Sequence, residues 1–291
     1  MRRLLATVGA LLVAATVLGA CGDDGETGAG APQGSESTGD AVNGGGLTFA
    51  VWSETNGLDP TVSYATGVIG GTELMAIYDT LMRYDPETNE YYPGMAESLT
   101  PNADMSVWEL KLREGVTFTD GTPYDAEAVK FNIERHAAQG SRSSFAAHVS
   151  TNIQSIEVVD ELTVRFHLTA PLASFPYILT VGPGMIGSVK AIEEKGDQFN
   201  LSPVGAGPFM VEKYAPGDEL VLVRNPDYWA GPVPLDSVRF VNLGADAARY
   251  EQLAAGGADV VFLRDPEVVA RAKEERPNNL TENSLSSPFV L

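Results

Sequence analysis

Strict alternation of apolar and polar residues in separate stretches commits this chain to folds built on half-buried β-strands. Trp108, Leu110 and Leu112 alternate with Glu109, Lys111 and Arg113, and a strand sends successive side chains to opposite faces. Leu162, Val164, Phe166 and Leu168 repeat the pattern, and the apolar run 156–159 just upstream predicts a hairpin with them. Met82, Arg83 and Tyr84 are separated from Tyr91 and Tyr92 by Asp85-Pro86-Glu87-Thr88-Asn89, a turn sequence that predicts another hairpin. Helical spacing interrupts these strands. Asp125 is placed to cap a helix running to about Gln139 and stopped by Gly140, with Ala126, Val129, Ile133 and Ala137 as its apolar stripe. A second helix is predicted over 72–81, with Leu74, Ile77, Tyr78 and Leu81 on one face, and a short apolar one over 172–180.

The pattern differs at the two ends of the folded part. Residues 47–52 read as a strand, Leu58-Asp59-Pro60 as a turn, and 63–71 as a small, polar, glycine-containing loop. Val204-Gly205-Ala206-Gly207-Pro208-Phe209 reads as a glycine turn entering a strand, which Pro216-Gly217-Asp218 turns into another at 220–224. Gly121 and Gly207 suit tight turns. A strand at 238–243, a helix at 247–255 closed by Gly256 and a strand at 260–263 have the spacing of a βαβ unit with a parallel strand pair. A helix at 267–275 follows, and 280–283 and 288–291 are expected to be extended. Hairpins mixed with a βαβ unit predict a mixed α/β protein.

The first residues address the chain to a compartment. Arg2 and Arg3 precede an apolar run from Leu4 to Leu18, and Leu18-Gly19-Ala20-Cys21 follows. A basic start, a short apolar run and small residues before a cut describe a secretory signal; the run is short for a membrane span, which takes about 20 residues. Cys21 is the single cysteine of the 291 residues, so no intramolecular disulfide can form, and its setting resembles a bacterial lipobox. That resemblance implies lipidation at Cys21 and a membrane-held mature protein. Residues 22–46 are rich in Gly, Ser, Asp and Glu, a composition that cannot bury a core and predicts a flexible tether. The net charge of -20 repels nucleic acid.

Seven separated segments, in order, resemble the family 5 extracellular solute-binding proteins, the peptide, opine and nickel receptors of ABC importers. They are Leu58-Asp59-Pro60; Ile77-Tyr78-Asp79-Thr80-Leu81; Tyr92-Pro93-Gly94-Met95-Ala96-Glu97-Ser98; the stretch from Trp108 through Gly115 and Asp120-Gly121-Thr122-Pro123 to Phe131; Val204 to Phe209; Asn225-Pro226-Asp227-Tyr228-Trp229; and Leu253 to Val260. Ala206 stands where the family usually has Thr, and Gly257 where it usually has Glu.

The resemblance implies a periplasmic-binding-protein type II-like lobe with an inserted β-rich subdomain. On it, 1–21 is a signal peptide with lipobox and 22–46 a tether. Residues 47–80 with 188–283 form the main lobe, 81–187 the insertion, and 284–291 the start of a crossover to a second lobe that this sequence lacks. The implied role is extracytoplasmic binding of a peptide or other small solute and its delivery to the permease and ATPase subunits of an ABC importer. The protein would be lipid-anchored and monomeric, without a cofactor. A sensing or scaffold lipoprotein on the same fold is the alternative, and a secreted hydrolase with a carboxylate pair a more distant one.

Family members line their cleft with the loop after Leu-Asp-Pro, which implies Ser63, Tyr64, Ala65, Thr66 and Gly67 as solute-binding residues here. Small residues admit a peptide backbone, and Tyr64 offers a ring and a hydroxyl. The plainer alternative is a surface loop. Trp108, Tyr228 and Trp229 read as core, and Asp59-Pro60 as a turn lock. His136, His148 and His167 lie too far apart in sequence to suggest a metal site. Neither a Gly-x-Ser-x-Gly elbow nor a phosphate loop occurs.

Overall fold

The computed structural model describes residues 43–277, residue 68 excepted. Cys21, the signal segment, most of the tether and the extended runs expected beyond 280 lie outside the described residues. Strand β1 (Gly46–Ala50) opens the fold. The glycines just before it, assigned above to the tether, are already bonded: Gly44 N–H donates to Pro234 O at 2.8 Å and Gly45 N–H to Asp236 Oδ2 at 2.8 Å.

Helix α1 (Gly71–Tyr78) is buried along its whole length. It ends three residues before the predicted stop, because Asp79 takes φ 59°, a backbone region that cannot continue a right-handed helix. A hairpin follows, β2 (Met82–Asp85) with β3 (Glu90–Pro93), in the register Arg83↔Tyr92. Strand β4 (Ala96–Pro101), not predicted as a strand, leads to β5 (Val107–Leu112), whose burial alternates as its sequence does.

Helix α2 (Ala126–Ala137) starts where Asp125 accepts from Ala128 N–H at 2.9 Å. Its buried face holds Ala126, Val129 and Ile133 but continues through Asn132 and His136; Ala137 is exposed. Helix α3 (Ala146–Asn152), which carries no sequence signal of its own, precedes the predicted hairpin β6 (Ile153–Asp160) and β7 (Thr163–Leu168). The apolar segment after it is a 3₁₀ helix, Phe175–Thr180, tighter than the α-helix its periodicity suggested. Helix α4 (Val189–Lys195), also unpredicted, is capped by Ser188. Strands β8 (Phe209–Ala215), β9 (Glu219–Arg224) and β10 (Ser237–Val241), helix α5 (Asp246–Ala255), strand β11 (Val260–Val261) and helix α6 (Pro266–Glu275) complete the chain.

Besides the two-stranded β2-β3 sheet, two larger sheets carry this mixed α/β fold. One is antiparallel, β4-β5-β7-β6; the other runs β11-β1-β10-β9-β8. In the second, β10 and β11 are not neighbours, as a simple βαβ unit would make them. The first strand, β1, lies between them and is parallel to both. Each sheet has its own core. Leu110, Phe166, Phe175, Val129 and Ile133 fill one; Leu74, Tyr78, Phe209, Leu222 and Phe240 fill the other. Among the described residues no helix is long and apolar enough to cross a membrane.

Gly207 acts by close approach, not by a left-handed turn. A Cβ there would lie 2.6 Å from the carbonyl carbon of Ile77, and one at Gly205 would lie 2.2 Å from Ile77 O. The missing side chains let Gly207 N–H reach Ile77 O at 2.9 Å and seat β8 against the end of α1.

Candidate functional site

Open α/β sheets bind ligands beyond the carboxyl ends of their parallel strands, where neighbouring connections diverge. Here that edge is made by the segments following β1, β10 and β11, and by the loop entering α1. Val51 N–H bonds Val241 O at 3.0 Å and Phe262 N–H bonds Ala50 O at 3.3 Å, so the three strand ends stay aligned. Trp52, half-buried, comes next, with the Arg264 guanidinium 4.6 Å over its ring. Asp246 Oδ2 accepts from the backbone N–H groups of Arg264 and Asp265 and fixes the start of α6 beside this edge.

The 58–67 loop is braced from several sides. Asp59, buried, accepts from Thr61 N–H and Thr61 Oγ1–H at 2.9 Å each, and from Arg135 Nη2 of α2 at 2.5 Å. This supports the turn-lock reading of Asp59-Pro60. Arg142 N–H donates to Thr61 O at 3.1 Å, Ser144 Oγ–H to Tyr64 O at 3.1 Å, and Gly182 N–H to Ala65 O at 3.2 Å. His136 stands behind this brace, its Nδ1 sharing a 2.6 Å hydrogen bond with Ser143 Oγ. Burial strips its imidazole of solvent and pulls its pKa down to about 4, so the ring is neutral.

The five loop residues singled out from the sequence separate accordingly. Ser63, Ala65 and Gly67 are buried; Ser63 Oγ is bonded to Thr55 Oγ1 at 2.9 Å, and Ala65 and Gly67 hold φ of 49° and 47°. They shape the loop. Thr66 is half-buried, and Tyr64 is 55% exposed, its ring carried outward on a fixed backbone. Sequence reasoning passed over Trp52, Arg264 and Glu73. Trp52 closes one predicted strand and Arg264 follows another, so the carboxyl-end rule would have found them. Glu73, in the first turn of α1, is 2% exposed, and desolvation raises its pKa to about 7. Nothing in the local sequence signals that burial.

The histidines stay apart. His148 packs against Phe145, with ring centroids 6.1 Å apart, and His167 Nε2 meets Glu157 Oε2 at 3.1 Å. Among the described residues, no three His, Cys, Asp or Glu side chains are grouped to hold a metal ion.

Residues 90–290 match the model of the bacterial extracellular solute-binding proteins, family 5 Middle. This chain belongs to that family. It is 31% identical over 239 residues to di/tripeptide-binding protein 4 of Pseudomonas aeruginosa (strain UCBPP-PA14), covering 75% of this chain and 44% of the relative. Its fold matches the periplasmic binding protein DppA from Helicobacter pylori in complex with the peptide STSA (TM-score 0.71, 26% identity), over 81% of this chain and 50% of the other. It also matches MoaA from A. tumefaciens R10 in complex with mannopinic acid (TM-score 0.71, 31% identity), over 81% and 48% respectively. The family 5 chain thus spans about half the length of the relatives it matches.

Two of the family 5 segments quoted above meet at one buried carboxylate. Asp79 accepts from Arg83 Nη2 at 2.7 Å, Tyr228 O–H at 2.6 Å, Trp229 Nε1 at 3.3 Å and Thr80 N–H at 2.7 Å. The Arg113 guanidinium covers the Trp229 ring at 4.4 Å, and Arg113 Nε donates to Gly94 O at 3.0 Å. Tyr228 and Trp229 are therefore only part of the core; their polar ends tie β9's exit to the end of α1.

Proposed function

We propose that this chain is the solute-binding component of an ABC importer, taking a peptide or similar small solute at the carboxyl edge of its parallel strands. In this reading, residues 47–80 and 188–283 form the main lobe and 81–187 are inserted into it. Lipid on Cys21 and a tether over most of 22–46 hold the folded part outside the cytoplasmic membrane, near its permease and ATPase partners. No chemistry on the solute is required. The observation that carries the reading is Tyr64, an exposed ring on a loop braced by Asp59, Arg135 and Ser144 at that edge. A ring held this way supplies contact area with little ordering cost on binding. Trp52 beneath Arg264 supplies a second flat surface.

The test is calorimetric titration of the native-length protein, purified from its own cells, with trialanine. Tyr64→Ala should weaken binding about tenfold or more, with an unchanged melting temperature. Binding at full strength by the variant would remove this edge as the solute wall.

A further inference from the structure

A cavity lies at the end of the five-stranded sheet opposite the solute edge, where β9 leaves and β10 and β1 begin. It holds about 220 Å³ and is walled by Met75, Pro208, Pro232, Val233 and Pro234, with Tyr228, Asp79 and Arg83 on one side. The polar side is already satisfied. Asp79 is paired with Arg83 at 2.7 Å and accepts from Tyr228 O–H at 2.6 Å. The pair leaves no net charge to hold an ion, and the rest of the wall is apolar. What suits the cavity is an apolar side chain.

The chain itself brings one to the rim. Gly44 N–H donates to Pro234 O at 2.8 Å, Gly45 N–H to Asp236 Oδ2 at 2.8 Å, and Asp236 N–H to Gly45 O at 2.8 Å. Pro234 is a wall of the cavity. Gly44 and Gly45 hold φ of 99° and 81°, left-handed values that turn the chain off the line of β1. Two residues before Gly44 stands Val42, the one Val, Leu, Ile, Met or aromatic residue between positions 22 and 46. Two residues of chain span at most about 7 Å, so the reach from Gly44 to Val42 is short. A segment otherwise without bulky apolar side chains carries its single one beside an apolar cavity.

We infer that this cavity is the seat of residues 40–42, with the Val42 side chain set against Met75, Pro208 and Val233. The chain then joins the fold at the amino ends of its parallel strands. Their carboxyl ends lie about 17 Å away along the five residues of β1. The clasp rests for its purpose on the proposed reading of Cys21 as the anchor and of the carboxyl edge as the solute wall. On that reading it shortens the free tether and keeps the pull of the anchor on the edge away from the solute.

Methionine footprinting tests the clasp on the native-length protein without solute, so its outcome leaves the solute wall untouched. Hydrogen peroxide gives one oxygen atom to a methionine sulfur and leaves as water, and peptide mass spectrometry reads the sulfoxide. Met105, 40% exposed, is the internal reference for Met75, buried on the cavity wall. In Val42→Asp and in Val42→Ser, oxidation of Met75 relative to Met105 should rise about tenfold or more over wild type, the factor that burial of a valine gives a closed state over an open one. Val42→Ile should keep the wild-type ratio. Exchange of the Gly44 amide should quicken in the same two variants while that of β5 stays as in wild type. An unchanged Met75 ratio in both variants overturns the inference. Slow oxidation throughout would then assign the cover of the cavity to another part of the chain, and fast oxidation throughout would leave the cavity open. Should Val42→Asp not fold, Val42→Ser decides alone.

Discussion

Two buried side chains give the stability of this protein opposing responses to pH. His136 has a folded pKa of about 4, below the ordinary 6.5. Its contribution is full above about pH 6.5 and falls as pH drops toward 4, because the unfolded chain binds the proton more readily. Glu73 has a folded pKa of about 7, above the ordinary 4.5. Its contribution is full below about pH 4.5 and is lost as pH rises toward 7. The two slopes oppose one another between about pH 4.5 and 6.5. Glu73→Gln removes one of them, so the stability of the variant minus that of wild type should climb by about 1.4 kcal/mol per pH unit across that window. Urea unfolding at several pH values measures the difference, and a flat difference would show that Glu73 is not buried as described. Asp79→Ala is of another kind. It strands the Arg83 guanidinium and the Tyr228 and Trp229 donors, and should cost about 3 kcal/mol or more in urea unfolding.

At the scale of elements, α2 does two jobs. Its first turn depends on Asp125, and Asp125→Ala should cost about 1 kcal/mol in thermal or urea unfolding. Its last turn braces the 58–67 loop through Arg135. Arg135→Met leaves Asp59 charged and buried without its partner, so amide exchange at Thr61 and Ser63, which bond to Asp59, should quicken more than in β5. Equal change in both places would mean that the brace is not local.

The alternating strands were legible because period two survives any tertiary context that buries one face. β5, β7 and the hairpin at Asp85 stand where their residues placed them. Helix α3 was not legible: Ala146 and Ala147 on one side and Ser150 and Thr151 on the other leave Val149 as its single buried residue. The end of α1 was hidden too, since Leu81 continues the helical spacing while Asp79, held by donors some 150 residues away, breaks the backbone. The candidate site was half legible for a similar reason. Motif order led to the loop that carries Tyr64, but burial of Ser63 and Ala65 and the exposure of Arg264 depend on contacts between distant segments.

At the scale of the molecule, the order of β1 in its sheet sets a schedule. Both neighbours of β1 belong to the last part of the described chain, at 237–241 and 260–261. The sheet β4-β5-β7-β6 is complete by residue 168. A chain growing at about 5–20 residues per second therefore holds β1 without a sheet partner for roughly 10–40 s, while the middle of the molecule has all it needs to fold. Pulsed hydrogen exchange during refolding should show amides of β5 and β7 protected before those of β1; simultaneous protection would mean that the two sheets fold as one unit. Until β10 arrives, β1 is an apolar strand with both edges open, the kind of segment that pairs with whatever strand it meets first. For this chain the interval of vulnerability is written into the place of its first strand.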